Sequence, residues 1–303
     1  MFLQIDHTTN YRYRSAVEFT PHTLRLTPKA TPGLHLVRSS LRIIPQATVR
    51  WNLDVEENVV AVATMMGKGE ELLISSSFLI EQKITNPFDF LLDERSLTLP
   101  VSYTNREISL LSPYLGVQEF RHTPVRSWLE PFVRESGGDL PGSRPDTLGL
   151  LIALNRSIPI QLRYSLRHEY GVQSPAETIS RGEGTCRDFA LLMMESARSL
   201  GIAARYVSGY LCSSPASASV DDKGGAHTHG WCEFYLPGAG WRGFDPTNGI
   251  LASSHHVPVA TSISAGEIPP VEGAYLGAVG ECLRHEVNIS AVEVEPWDKN
   301  DTV

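Results

Sequence analysis

Four cysteines in 303 residues, with no CxxC pair, are too few and too scattered for a disulfide framework. Such usage suits a reduced protein, and a cytoplasmic location is the expectation. No apolar run approaches the roughly 20 residues of a membrane span. The N-terminus, MFLQIDHTTNYRYR, lacks both the basic start and the apolar stretch of a secretion signal. No membrane partner is expected. Cations are the minority charge: 26 Lys and Arg face 34 Asp and Glu, a net charge of −8. With no basic run and no zinc-finger or RNA-recognition spacing, nucleic acid is not expected as a partner. Internal repeats are lacking, and low complexity is confined to SSPASAS at 213–219. What remains is an ordinary globular composition, 42% hydrophobic and 20% charged, long enough for about two domains.

Hydrophobic patterning divides the chain. Residues 1–105 are β-rich, with short alternating runs such as FLQIDHTTNYRY, LHLVRSSLRII and ELLISSSFLIEQKI. Turn signals at Thr31-Pro32-Gly33 and Gly67-Lys68-Gly69 separate them, so a sandwich or partial barrel is expected. Residues 106–145 read as a linker with a short helix around Trp128 and Phe132. From 146 to 258 the pattern becomes helical and then strand-like: TLGLLIALNRSI, a second helix after Thr185, then IAARYVSGYL, HGWCEFYLP and GWRGF. The expected class is α+β, with a β-rich N-terminal domain before a core of helices packed on an antiparallel sheet. Residues 259–303 are expected to pack on both domains as a tail.

Cys186 stands between a glycine-rich turn and an apolar-periodic helix, in GEGTCRDFALLMMESARSLG at 182–201. Free N–H groups and the macrodipole at a helix start favour a thiolate. Equally, a buried cysteine is often just a small inert hydrophobe, and the segment alone leaves both readings open. Cys212, Cys232 and Cys282 have no comparable setting and read as inert. Arg187 and Asp188 project from other helix faces. Asp188 suits the helix dipole, and Arg187 is expected to tie the helix to the first domain.

Strand alternation around HTHGWCEFYLPGAGWRGFDPTN, residues 227–248, puts His229, Trp231, Glu233 and Tyr235 on one face. Gly230, Cys232, Phe234 and Leu236 form the other, core, face. The histidine face is expected to border a wet cleft. Asp245 lies on the return strand. A cysteine, a histidine and a carboxylate are what thiol catalysis of the protease type requires. Parity sets a condition on the third member. Residues opposite each other in an antiparallel pair have a constant sum. Asp245 shares the face of His229 only if that sum is even, which needs an odd-length loop such as Pro237-Gly238-Ala239, or a bulge. The alternative use of His227, His229, His255 and His256 as metal ligands leaves Cys186 unexplained, so no metal and no cofactor is expected.

Four blocks together resemble the transglutaminase-like superfamily, and within it the bacterial transglutaminase-like cysteine peptidases. They are CRDFA at 186–190, RYVSGY at 205–210, His229-Gly-Trp231-Cys-Glu233, and Phe244-Asp245-Pro246-Thr247. FTPHTLRLTP at 19–28 resembles the β-rich N-terminal domain of the same family. The resemblance implies a papain-like core with Cys186 as nucleophile, His229 as base and then acid, and Asp245 as orienter. It implies a peptide or other amide substrate and a thioester intermediate, leading to hydrolysis or to acyl transfer. For the oxyanion and for substrate positioning, the candidates are the Cys186 N–H, Gln161, Tyr164 and Trp231. Two departures stand out. The family turn Asp-x-x-Gly-Asn appears as Asp54 to Asn58 with Glu57 in the glycine's place. Ser262-Ile263-Ser264-Ala265 replaces a Gly-Arg-Asp-Tyr segment, a change expected at the substrate rim.

Overall fold

A computed structural model describes residues 1–116, 124–138, 144–167, 171–213, 228–278 and 280–295. The N-terminal strands are β1 (Phe2–Phe19), β2 (His22–Leu24), β3 (Leu34–Ile44), β4 (Ala47–Leu53), β5 (Val59–Met65) and β6 (Lys68–Gln82). Helices α1 (Glu94–Leu97), α2 (Asn105–Leu111), α3 (Pro124–Val133) and α4 (Thr147–Gln161) follow. Then come β7 (Arg163–Tyr164), α5 (Pro175–Arg181), β8 (Glu183–Gly184) and α6 (Cys186–Ser199). The chain closes with β9 (Ala204–Leu211), β10 (Thr228–Leu236), β11 (Gly240–Asp245), β12 (Ile250–Leu251), β13 (His256–Ser262), β14 (Val271–Glu272), β15 (Tyr275–Leu276) and β16 (Cys282–Val294).

Two antiparallel sheets make the N-terminal sandwich. One runs β15-β1-β6-β3, with β16 also on β1, and the other runs β14-β2-β5-β4. Alternation explains the packing: Leu3 and Ile5 of β1, Leu72, Ile74 and Ile80 of β6, and Ala61 and Ala63 of β5 are buried in one core. Residues beyond 258 complete existing sheets. β14, β15 and β16 join the sandwich, while β13 forms an edge of the second sheet.

That second sheet is antiparallel, in the order β12-β11-β10-β9-β13. Helix α6 lies on it. Phe189, Leu192, Met193 and Ala197, at helical spacing, are fully buried, as are Cys232, Phe234 and Phe244 of the strands. The architecture is therefore α+β: a strand-rich N-terminal region, then a helix packed on an antiparallel sheet.

The β4–β5 turn joins the two parts. Buried Asn58 donates to Thr261 O at 2.8 Å and accepts from Thr261 N at 2.8 Å, so the turn is bolted to β13. Within this turn Glu57 has φ 60°, the left-handed region, where a side chain is strained. It is the position at which the family pattern carries glycine. Glu57→Gly is accordingly expected to raise stability by about 0.5–1 kcal/mol, strain relief being partly offset by unfolded-state entropy. Urea unfolding of the two proteins measures this, and a destabilised variant would refute the strain.

Candidate active site

Cys186 opens α6, and its turn is built by its neighbours. Thr185 is extended (φ −89°, ψ 175°) and immediately precedes the helix. Its N–H and hydroxyl donate to one oxygen of Asp188, at 2.8 and 2.9 Å. The other oxygen accepts from Gln173 N at 2.7 Å and from Arg167 at 3.0 Å. A fully buried carboxylate with four donors holds the first turn in place. Gly184 is required here: a Cβ would stand 2.9 Å from the Asp188 side chain and 3.1 Å from the Phe189 ring. Asp188 is thus structural. Arg187 stands beside Cys186 as a positive charge, with no ion pair among the described residues.

The hairpin meets the parity condition. Leu236 opposes Gly240 and Cys232 opposes Phe244, an even sum, across the three-residue loop Pro237-Gly238-Ala239. Continued by one residue, the register sets Asp245 opposite Trp231, on the face of His229. Nε2 of His229 lies 2.9 Å from Oδ2 of Asp245. That oxygen also receives Asn248 Nδ2 at 2.7 Å and His256 Nε2 at 3.1 Å. The other receives the N–H groups of Thr247 and Asn248, at 2.9 and 3.3 Å.

These contacts assign the protons. An ionised carboxylate only accepts, so Nε2 of His229 carries its hydrogen. Nδ1 is buried with no hydrogen-bond partner among the described residues, and the His229 ring and the Gly230 N–H stand close enough to Cys186 to favour its thiolate. For His256, Ser253 N–H donates to Nδ1 at 3.0 Å, so its Nε2 is protonated and donates to Asp245. The buried trio His229, Asp245 and His256 brings three potential ligand atoms within 4.8 Å of one another. Yet His256 presents no free lone pair to a cation, so the donor set fits a hydrogen-bonded carboxylate better than a metal centre.

Electrostatics follow from this wiring. Burial pushes Asp245 up, but His229 and then His256 outweigh it and hold the carboxyl far below its usual range. Burial pushes His229 down; the Asp245 charge, its hydrogen bond and the sulfur reverse this and raise the ring well above ordinary histidine. Burial pushes the Cys186 thiol up, while His229, the Gly230 N–H and Arg187 bring it below its ordinary value. By contrast, burial drives Cys212 up to about 12 and Cys232 well above its usual value. Cys186 combines partial exposure with a lowered thiol, unlike buried Cys212 and Cys232. Burial likewise lowers His256, which stays neutral.

Several expectations need correction. His229, 2% exposed, does not border a wet cleft, whereas Trp231, 1% exposed, stands with Glu233 and His256 in the wall of a cavity of about 660 Å³. His256 covers them from β13, its ring 6.1 Å from His229 and 5.3 Å, edge-on, from Trp231. Trp231 is therefore packed against both imidazoles rather than offered to an oxyanion. Gln161 sits on the exposed end of α4, its Oε1 accepting from Trp128 at 2.9 Å, and is not among the groups coupled to Cys186. Tyr164 does reach the site. β7 pairs with β8 so that Tyr164 lies beside Gly184, and burial, then the thiolate, raise its hydroxyl to about 12. Ser262 to Ala265 lie away from the nucleophile. Ile263 O accepts from Arg198, at the far end of the 14-residue α6, about 20 Å from Cys186. His227 falls outside the described residues.

Two residues were missed. His256 appears in the sequence only as a possible ligand, whereas it supports Asp245. Tyr206, within the RYVSGY block, carries no role that the sequence alone assigns. Its hydroxyl lies 2.4 Å from where a Cβ on Gly230 would stand, so a side chain at 230 is excluded, and the Cys186 thiolate raises it further after burial. A glycine between His229 and Trp231, in a strand otherwise rich in large side chains, is the signal that could have found it.

Comparison with known proteins matches two segments of the chain. Residues 3–81 match the bacterial transglutaminase-like N-terminal region, and residues 144–246 match the transglutaminase-like superfamily. Protein ML0607 of Mycobacterium leprae is 24% identical over 276 residues, which is 91% of this chain and 93% of that one. Rv2569c of Mycobacterium tuberculosis is 33% identical over 117 residues, 35% of this chain and 37% of the other. Among solved structures, a "Putative Cysteine Protease" from Cytophaga hutchinsonii aligns with a TM-score of 0.66 at 18% identity, covering 100% of this chain and 95% of that one. That likeness establishes a shared fold. With both segments matched in order and the fold in agreement, residues 144–246 are a transglutaminase-like core and residues 3–81 a bacterial transglutaminase-like N-terminal region.

Proposed function

We propose that this protein is a thiol-dependent amide or peptide hydrolase working through Cys186, His229 and Asp245. One observation carries the reading. His229 is locked by Asp245 at 2.9 Å through Nε2, which leaves Nδ1 for Cys186, whose thiol is brought below its ordinary value. A ring so held in one tautomer is prepared to take and return a proton at a single atom.

In this mechanism the Cys186 thiolate attacks the amide carbonyl, with its proton already on Nδ1 of His229. The tetrahedral oxyanion accepts hydrogen bonds from the backbone N–H of Cys186, free because it lies in the first turn of α6, and from the Tyr164 hydroxyl. The C–N bond breaks, Nδ1–H protonates the departing amine, and a thioester remains. Water, deprotonated by the now neutral Nδ1, adds to the thioester. The C–S bond then breaks, releasing acid and regenerating the thiolate–imidazolium pair. An amine replacing water at that step would give acyl transfer from the same intermediate.

Product analysis tests the assignment. A peptide library is incubated with the enzyme, with and without millimolar amine. Carboxylate products, unchanged in kind by the amine, are the expected result. Amine adducts as the main product would make the protein a transferase. No turnover at all, with a Cys186 that labels like an ordinary thiol, would make it a binding protein of the same fold.

A further inference from the structure

We propose that His256 is a positioning residue of the reaction, a second imidazole that shares Asp245 with His229 and so keeps His229 able to give its proton back. The inference rests on the thiol-hydrolase reading and adds a fourth residue to its machinery. His256 opens β13 and is 4% exposed. Its N–H donates to Ser253 O at 3.0 Å, and Ser253 N–H donates to its Nδ1, also at 3.0 Å. The backbone on either side is anchored as well. His256 stands opposite Leu211 of β9, Cys212 N–H donates to His255 O at 2.9 Å, and Ala252 N–H donates to Gly243 O of β11 at 2.9 Å. Trp231 packs against the ring, edge-on. An imidazole held in this way keeps one tautomer, with its hydrogen on Nε2, and one direction, toward Oδ2 of Asp245 at 3.1 Å.

Both ring nitrogens are engaged, so His256 has none left to trade a proton with a substrate and acts through Asp245. Its effect there follows from sharing one oxygen. Oδ2 receives three donors: Asn248 Nδ2 at 2.7 Å, His229 Nε2 at 2.9 Å and His256 Nε2 at 3.1 Å. Each donor stabilises the anion and weakens the hold of that oxygen on the others. His229 is raised chiefly by the Asp245 charge and hydrogen bond, against its burial. An imidazolium held too tightly is a weak acid, and it protonates a departing amine slowly. A neutral donor is suited to moderating that hold, because it adds no positive charge beside the imidazolium. Burial lowers His256 and keeps it neutral. The titratable groups acting on the two rings are Asp245, Cys186 and His255.

Two variants separate this role from packing. His256→Leu is close in volume and has no donor. His256→Gln carries an amide that reaches as far as Nε2 and still donates. On the full chain, kcat and KM are measured for a peptide the wild type cleaves, together with thermal melts and the pH dependence of Cys186 alkylation by iodoacetamide. His256→Leu should lose about tenfold in kcat, with KM nearly unchanged, and its alkaline alkylation step, which reports His229, should move up by roughly 0.5–1 in pH. His256→Gln should restore most of the kcat and return that step to its wild-type position. Wild-type kcat and an unmoved alkaline step in His256→Leu overturn the proposal, and so does an equal loss in both variants. If His256→Leu does not fold, the ring itself decides. In histidine-labelled wild type at about pH 7, nitrogen NMR should show His256, assigned by its disappearance in His256→Gln, as a neutral ring protonated on Nε2. A charged ring, or a hydrogen on Nδ1, overturns the proposal. Alkylation and NMR need no turnover, so they leave the triad standing when His256 alone fails. A wild-type Cys186 that reacts only as an ordinary thiol overturns the thiol-hydrolase reading and this inference with it.

Discussion

Cys186→Ala should lose turnover by about four orders of magnitude or more, while the protein remains folded. The substitution removes a single sulfur from a half-buried position at the start of α6. Thr185, Asp188 and Arg167, which define the turn, are untouched by it. The lost contacts should cost about 1 kcal/mol or less, a shift of a few °C in Tm. Assays of purified variant and wild type, alongside thermal melts, measure both quantities. Full activity would remove Cys186 from the chemistry. Inactivity together with a much larger loss of stability would make it a core residue whose catalytic role is untested by the variant, and Cys186→Ser, which keeps size and polarity, would then decide: an active serine variant excludes the thiolate.

Asp245 should be costly in both respects. Five hydrogen bonds converge on its two oxygens, from Thr247, Asn248 twice, His229 and His256. Asp245→Ala would leave several buried donors without partners, at roughly 3–5 kcal/mol. Asp245→Asn keeps the shape but offers an amide where the imidazoles need an acceptor. It should invert the His229 tautomer and lower kcat by about 10⁴-fold with a smaller stability loss. The pH dependence has a definite sign. Because folding depresses the Asp245 pKa, its stabilisation is present above the unfolded value of about 3.9 and is lost as pH falls through the folded one. The gap between wild type and Asp245→Ala in urea unfolding should thus be full at pH 7 and close only in strong acid. An unchanged midpoint in Asp245→Ala at pH 7 would contradict the network.

Local features of this site were legible because they are written in neighbouring residues. The helix start at Cys186 follows from Gly184, Thr185 and the periodic Phe189, Leu192 and Met193. Parity alone decided which hairpin loop would let Asp245 meet His229, and Leu236 pairing with Gly240 satisfies it. What alternation cannot supply is what covers a strand face. His229 and Trp231 lie on the face opposite Cys232, as read, but whether that face is wet depends on β13, which arrives over 20 residues later. The role of His256 was hidden for the same reason, since its contact with Asp245 exists only once β13 has paired with β9. Likewise, the sheet positions of β14 to β16 depend on pairing with β1 and β2 at the opposite end of the chain. Glu57 is the converse case: a local departure from the family's glycine showed up directly as a left-handed residue.

The central claim is that Cys186 and His229 form a thiolate–imidazolium pair, and the rate of Cys186 alkylation by iodoacetamide against pH tests it most directly. A lowered thiol gives a rate that rises with pH through a value below that of an ordinary cysteine. A second, smaller change should appear at alkaline pH as the raised His229 ring loses its proton. His229→Ala should move the first step up toward about 8.5, since the two largest influences that lower the thiol come from that ring, with the Gly230 N–H and Arg187 adding less. A single step near 8.5 in the wild type, unmoved by His229→Ala, would contradict the account.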